Sequence, residues 1–259
     1  MKALVRAAGV GERLRPLTDT IPKALLEVGG RPLIHFPLLM LKRAGVTRIA
    51  INVHHLPAKI EAALGNGAPL GIEITYAPEP MLLGTGGALN PLREFFGDEP
   101  FIVANCDTIL DLDLSAMIAF HRERRALATL SLARPENLAD YSRIEIDGEA
   151  RIRRMRLLRR RDPLEYDDYP REHGAAISAA LDAYMFCGVM VAEREVLGML
   201  PAAVPWSITT GLLAPMLARG LPLFGYVHRG FFRTVDDLAS YQALRAEFIS
   251  RSPRLHYLP

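Results

Sequence analysis

An apolar stretch, Ala3 to Ala8, runs directly into Gly9-Val10-Gly11, and a basic cluster follows at Arg13 and Arg15. Pro22-Lys23 stands ten residues beyond Arg13. These are residue types that handle phosphate. A strand feeding a glycine loop exposes backbone N–H groups that cradle anionic oxygens. Arginine adds a planar donor fork that is always charged, and lysine adds a compact point charge. Glycine serves where the backbone must approach a ligand closely or adopt positive φ. By itself Gly9-x-Gly11 reads equally well as a turn that only reverses the chain. It lacks the third glycine of a dinucleotide fingerprint and the Gly-Lys-Ser/Thr of a P-loop.

Three further groups of residues carry possible chemistry. Glu79-Pro80 precedes Gly84-Thr85-Gly86-Gly87, a glycine run at the start of a helix that is either a plain cap or a ligand-facing turn. Asn105-Cys106-Asp107 closes an apolar strand, where aspartate serves either as a turn residue or as a metal ligand. Gly188, within Phe186-Cys187-Gly188-Val189, either walls a binding site or relieves crowding in a strand.

The elements that must position these groups follow from periodicity. Strands are expected at Ala3–Ala8, Arg48–Val53, Ile72–Tyr76 and Phe101–Asn105. Helices are expected at Arg31–Ala44 (shortened or kinked by Pro37), Pro57–Leu64, from Gly84 to about Phe96, and Leu114–Arg125. This alternation predicts an α/β chain with a mostly parallel sheet and helices on both faces. Ligands in such sheets bind beyond the carboxyl ends of the strands, so the glycine loop, Glu79 and Asp107 should meet at one edge. In the second half, strands are expected at Leu127–Ala133, Ser142–Ile146 and Tyr184–Val191. Helices are expected at Ile208–Ala218 and Asp237–Ser250. The polar stretch 159–180, with Pro163 and Pro170, reads as a flexible lid or insertion.

The string AAGVGERLRPLT…PKALLEVGGRPLI, about thirty residues long, resembles the signature of the sugar-nucleotidyltransferases, the NDP-sugar pyrophosphorylases. The resemblance implies a Rossmann-like three-layer αβα sandwich with a mixed, mostly parallel central sheet. It also implies one nucleotidyltransferase domain over 1–259, with a nucleotide-binding part at 1–125 and a sugar-phosphate-binding part at 126–259. The implied reaction joins an NTP to a sugar 1-phosphate, giving an NDP-sugar and pyrophosphate. The acceptor phosphate attacks the α-phosphorus in line, so catalysis is positioning and charge neutralisation, assisted by Mg²⁺ held on carboxylates.

Residue by residue, the resemblance implies a nucleotide site of Ala7, Ala8, Gly9, Gly11, Arg13, Gly84, Thr85 and Gly86. Arg13 would hold the departing pyrophosphate and Lys23 would sit on the phosphate side, both as catalytic residues. Glu79 and Gly188 fall to the sugar side, and Asp107 is the implied Mg²⁺ ligand. Short members of the family act on N-acetylmuramate 1-phosphate, mannose 1-phosphate or phosphocholine, and composition does not separate them.

The chain departs from the family pattern at several places. Glu12 replaces Thr or Ser and should be exposed, because a carboxylate beside a triphosphate is unfavourable. Cys106 replaces a glycine, and Asp111 and Asp113 read as helix-start residues. Anchoring the closing motif on Tyr241 puts Phe232 at its Trp and Asp236 at its Gly. It puts Thr234 where a second metal Asp is usual, and a neutral hydroxyl is a poor magnesium ligand. Asp236 and Asp237 either reach the metal or cap the closing helix. Arg6 replaces a Leu, and an arginine ending a central strand is costly to bury unpaired, so it is expected to face the pocket and pair with Asp107. These departures leave a second reading open: a catalytically degraded nucleotide-sugar-binding or regulatory protein on the same fold.

Composition sets outer limits. The 259 residues are 50% hydrophobic and 23% charged, enough for a substantial core. A net charge of +2 does not argue for nucleic acid or a membrane surface, and the expected partners are the small-molecule NTP and sugar phosphate. The arginine run 151–161 reads as a solvated strand and loop, from which one or two side chains could face an anionic substrate. Cys106 and Cys187 lie in apolar stretches and read as buried free thiols. With neither a leader nor a membrane-spanning run, the expected location is cytoplasmic. No hexapeptide repeat occurs in the sequence.

Overall fold

The computed structural model describes residues 1–159, 165–169, 181–251 and 253–258. Its strands in chain order are β1 (Lys2–Arg6), β2 (Glu27–Val28), β3 (Arg31–Pro32), β4 (Arg48–Val53), β5 (Glu73–Pro78), β6 (Phe101–Asn105) and β7 (Thr108–Leu110). The second half adds β8 (Ala128–Ala133), β9 (Arg143–Ile146), β10 (Ile152–Arg159), β11 (Glu165–Tyr169), β12 (Asp182–Ala192), β13 (Leu223–Val227) and β14 (Phe232–Thr234).

Ten of these strands form one mixed sheet in the order β11-β10-β9-β12-β6-β1-β4-β5, with β8 on β12 and β13 on β8. Its β5-β4-β1-β6 block is parallel throughout. β12 then pairs antiparallel with β6 and continues the sheet into the second half of the chain. Both faces are covered, giving the Rossmann-like αβα layering. One apolar cluster joins Ala3, Val5, Ile51 and Ala104 of the strands to Phe36, Ile60, Met117 and Leu244 of the helices. The opposite cluster joins Leu4, Ala50 and Val103 to Leu89, Phe96, Leu213 and Met216. Strands buried on both faces read as continuous apolar runs, which is how β1, β4 and β6 stand out in the sequence.

Several element boundaries differ from the sequence-based expectation. The helix expected from Arg31 begins at His35, because Arg31–Pro32 instead pairs with Glu27–Val28. Pro37 falls in its first turn, where the missing N–H breaks no bond, so the helix is not kinked there. The helix expected from Gly84 to about Phe96 is two short ones, Gly84–Gly87 and Arg93–Phe96, separated around Pro91. Ile208–Leu213 is a π-helical turn that passes into the α-helix Ala214–Ala218.

Most of the expected lid at 159–180 lies outside the described residues. The described part, β11, is an ordinary strand paired with β10. The arginines of β10 sit on carboxylates, Arg153 on Asp147 and Arg154 on Glu145, each at 2.5 Å. Arg156 lies 2.8 Å from Asp168. No described helix is long and apolar enough to cross a membrane.

Candidate functional site

The site is built on one row of residues. Arg6 is in register with Asn52 of β4 on one side and with Asn105 of β6 on the other. Alternate residues of a strand share a face, so these three follow Leu4, Ala50 and Val103 outward from the second core cluster. The apolar column therefore ends in a polar floor at the carboxyl edge of three adjacent parallel strands. Above it lies a cleft of about 320 Å³, bordered by Ala8, Gly9, Gly84, Thr85 and Asp107.

Asn52 ties the two loops of this cleft together. Its Oδ1 accepts from Ala7 N at 2.9 Å, and its Nδ2 donates to Glu79 Oε1 at 2.7 Å. The second Glu79 oxygen accepts from Leu83 N at 3.0 Å. Glu79 is only 6% exposed, and a buried carboxylate is tolerated when hydrogen bonds satisfy it. Both oxygens are engaged within the protein, so Glu79 helps to position the glycine turn while it lines the cleft. Nothing in the local sequence announces Asn52 except a polar residue within an otherwise apolar strand.

The glycine turn itself is shaped by Trp206, a residue that sequence reasoning passed over. Trp206 N donates to Leu83 O at 3.1 Å, and Gly86 N donates to Trp206 O at 3.0 Å. A Cβ on Gly86 would lie 2.0 Å from the indole ring, and one on Gly84 (φ +81°) would lie 2.4 Å from Trp206 O. Gly86, expected beside the nucleotide, is buried against this ring, while Gly84 and Thr85 border the cleft. Thr85 Oγ1 also accepts from Ile208 N at 3.0 Å, tying the turn to the chain beyond Trp206.

The first glycine loop folds tightly. Gly11 takes φ +70° with Thr18 and Lys23 packed close to its α-carbon, whereas nothing lies within 4 Å of a Cβ placed on Gly9. Thr18 Oγ1 donates to Gly11 O at 2.8 Å. Arg13 is exposed and lies 3.4 Å from Asp236. Glu12 is exposed, as expected beside a phosphate loop.

Lys23 Nζ donates to Asp107 Oδ2 at 2.5 Å. The backbone carbonyl of Asp107 accepts from Val235 N at 2.9 Å, so this bond and the β7–β14 pair fasten the closing segment beside Asp107. Thr234 sits opposite Thr108 in that pair, one position from Asp107. Asp237 caps the last helix, its Oδ1 accepting from Ser240 N at 2.8 Å, while Asp236 faces Arg13. Asp113 caps the helix Leu114–Glu123 through Ala116 N, as expected. Asp111 does not start a helix; it accepts from His256 N at 2.8 Å. Among the described residues, no group of three or more His, Cys, Asp or Glu is gathered to hold a metal.

Arg6 points into the cleft, but its partners are neutral. Nε donates to Asn105 Oδ1 at 3.0 Å, and the terminal nitrogens reach Asn105 Oδ1 and, at 2.7 Å, Thr85 O. The direct pairing expected with Asp107 is therefore absent. Burial lowers the Arg6 pKa from arginine's ordinary value, and the nearby Asp107 raises it again. Asn105 in turn is accommodated by Gly188, which takes φ +82°. A Cβ there would lie 2.6 Å from Asn105 Nδ2. Cys106 is buried behind the row, and desolvation pushes its thiol up to about 12. Along β12 from Gly188, Phe186 helps line a hollow of about 240 Å³ with Tyr141, Ser142 and Thr209.

Comparison with known proteins gives a consistent result. The family model described as nucleotidyl transferase matches residues 2–156. A UTP–glucose-1-phosphate uridylyltransferase of Synechocystis sp. is 30% identical over 86% of this chain and 57% of its own length. An N-acetylmuramate alpha-1-phosphate uridylyltransferase of Neisseria meningitidis serogroup B is 50% identical over 45% of this chain and 51% of its own. The chain thus spans a little over half the length of these curated relatives. A Bacillus anthracis structure described as a glucose-1-phosphate thymidylyltransferase has a similar fold. Its TM-score is 0.77 at 22% identity, covering 98% of this chain and 96% of that one.

Proposed function

The chain belongs to the nucleotidyl transferase family, and from that premise we propose that it joins an NTP to a sugar 1-phosphate, releasing pyrophosphate. The single observation that carries this reading is the cleft over the Asn52–Arg6–Asn105 floor. It is bounded by a phosphate-type glycine loop, a second glycine turn and Asp107.

In this reading the nucleoside lies between Ala8-Gly9 and Gly84-Thr85. The triphosphate runs along Gly9–Arg13, where the space around Gly9 admits it. Arg13, anchored by Asp236, neutralises the departing pyrophosphate. Lys23 stands at the α-phosphate, held in place by Asp107. The acceptor's sugar occupies the hollow beside Phe186, with Tyr141, Ser142 and Thr209 around it. In-line transfer asks little acid–base chemistry of the protein, so positioning and fixed charge supply most of the rate.

The donor set fits Mg²⁺ only in part. Magnesium is usually held by one or two carboxylates together with substrate phosphates. Asp107 offers one carboxylate, Thr234 offers none, and Lys23 already bonds to Asp107. When bound there, the ion would polarise the α-phosphoryl group. The protein's own task is to hold Asp107 toward the phosphates, through β6 and the Val235 N–H bond. The two cysteines, free and buried, suit a cytoplasmic setting.

The test is pyrophosphate release over a matrix of four NTPs and several sugar 1-phosphates and phosphocholine, with and without Mg²⁺. Turnover with one sugar phosphate supports the reading and identifies base and acceptor. Turnover only with phosphocholine changes the acceptor class. Thr234 favours one second reading, a nucleotide-sugar-binding protein without activity. Nucleotide binding with no turnover in any combination would select it.

A further inference from the structure

Arg6 is a cation placed where none of its described hydrogen-bond partners carries charge. Its guanidinium spends donors on the Asn105 side chain and the Thr85 carbonyl, both neutral, and the described residues include no carboxylate bonded to it. The group is not free to swing away. β1 is a central strand, Asn105 is wedged by Gly188, and Thr85 is tied to Ile208. A partly desolvated guanidinium bonded only to neutral groups, with Asp107 nearby but not bonded to it, suits a site that takes a ligand of opposite sign. The same floor borders Gly9 and Asp107, so the charge looks onto the region where phosphates would meet.

The carboxylate side of the balance points the same way. At position 234 a threonine faces Thr108, Asp237 is used in a helix cap, and Asp236 is drawn to Arg13. Among the described residues, two carboxylates border the cleft: Glu79, engaged by Asn52 and Leu83 N, and Asp107, which is left to help hold a divalent ion; Arg6 adds a fixed cation to the floor.

Resting on the nucleotidyltransferase reading, we propose that Arg6 is a substrate-binding residue. It donates to a phosphate oxygen of the acceptor and supplies positive charge that a divalent ion held by two carboxylates would otherwise provide. Arginine suits this role because three of its five N–H donors keep their structural bonds while the remaining two, one on each terminal nitrogen, can meet a phosphate. The alternative is that Arg6 is only a tie between the sheet and the glycine turn.

Titration calorimetry in EDTA separates the two, using glucose 1-phosphate and mannose 1-phosphate on wild type, Arg6→Gln and Arg6→Lys, each also with UTP and GTP. Arg6→Gln should weaken sugar phosphate binding about tenfold or more, with nucleotide affinity changed much less. Arg6→Lys should recover part of that loss, since it keeps the charge. Equal losses for nucleotide and sugar phosphate, unrescued by lysine, would make Arg6 a structural tie and overturn the proposal. So would unchanged binding in Arg6→Gln. If wild type binds neither nucleotide nor sugar phosphate, the functional reading itself fails, and with it this assignment. If wild type binds nucleotide but no sugar phosphate, only the assignment of Arg6 fails.

Discussion

Lys23 Nζ lies 2.5 Å from Asp107 Oδ2, so the carboxylate just after β6 carries its own cation, from the turn Lys23–Leu25 that packs against Gly11. The two residues are 84 positions apart, and both are well shielded from solvent. The pair links the chain packed against Gly11 to the segment 105–108. It also makes the two charges interdependent: removing either leaves the other partly buried and unpaired.

For Asp107→Asn, pyrophosphate release should fall about a hundredfold or more, the scale of losing a preorganised electrostatic group. Lys23→Ala should also lose activity, because its charge is the nearest fixed neutraliser for the phosphates. Steady-state assays of both variants, with folding checked by circular dichroism, decide this. Wild-type rates in Lys23→Ala would remove lysine from the phosphate side.

Trp206 is the only tryptophan in the chain, and it lies under the turn expected to touch the nucleotide. Its emission should therefore change when UTP or GTP is titrated in. Gly86→Ala would drive a Cβ into the indole ring and should cost about 1–3 kcal/mol, as overpacking does. Urea unfolding monitored at Trp206 measures that cost. Wild-type stability of this variant would mean that the turn does not depend on the ring.

Gly188→Ala should act through Asn105 rather than directly. Its Cβ would sit 2.6 Å from Asn105 Nδ2 at a backbone angle (φ +82°) that disfavours alanine. Displacing Asn105 removes a partner of Arg6, so affinity for sugar phosphate should fall along with stability. A variant that is destabilised but binds sugar phosphate normally would break the proposed link from Gly188 to Arg6.

Stability should decline as the pH falls below about 6.5. Burial lowers the pKa of His121, against which Glu193 pulls it up and Arg122 pulls it down again. Burial also lowers that of His228, with Phe231 O and Asp111 raising it and His256 lowering it. A lowered folded pKa means that the unfolded chain takes up the proton first. This contribution is therefore present above the ordinary histidine value of 6.5 and lost as the pH falls below it. Urea midpoints at pH 7.5 and 5.5 measure it, and His121→Gln should flatten the slope. A midpoint that rises on acidification would contradict the assignment of buried neutral histidines.

The sequence by itself determined the strands of the parallel block, their order of appearance, and which loops lie at their carboxyl ends. That information is local: continuous apolar runs for β1, β4 and β6, and glycines immediately after strand ends. It was enough to bring the glycine loop, Glu79 and Asp107 to one edge and to anticipate that Arg6 would face the cleft. Tertiary structure alone decided what those residues bond to. Arg6 took Asn105 and Thr85 instead of Asp107. Glu79 was spent on Asn52 and Leu83, and Gly86 was claimed by Trp206 from 120 positions away. No periodicity encodes such partners, because each depends on which side chains the assembled sheet brings within about 3 Å. The helix near Gly84 failed for a related reason: the turn is held by cross-chain bonds to Trp206, so helix propensity did not set its length.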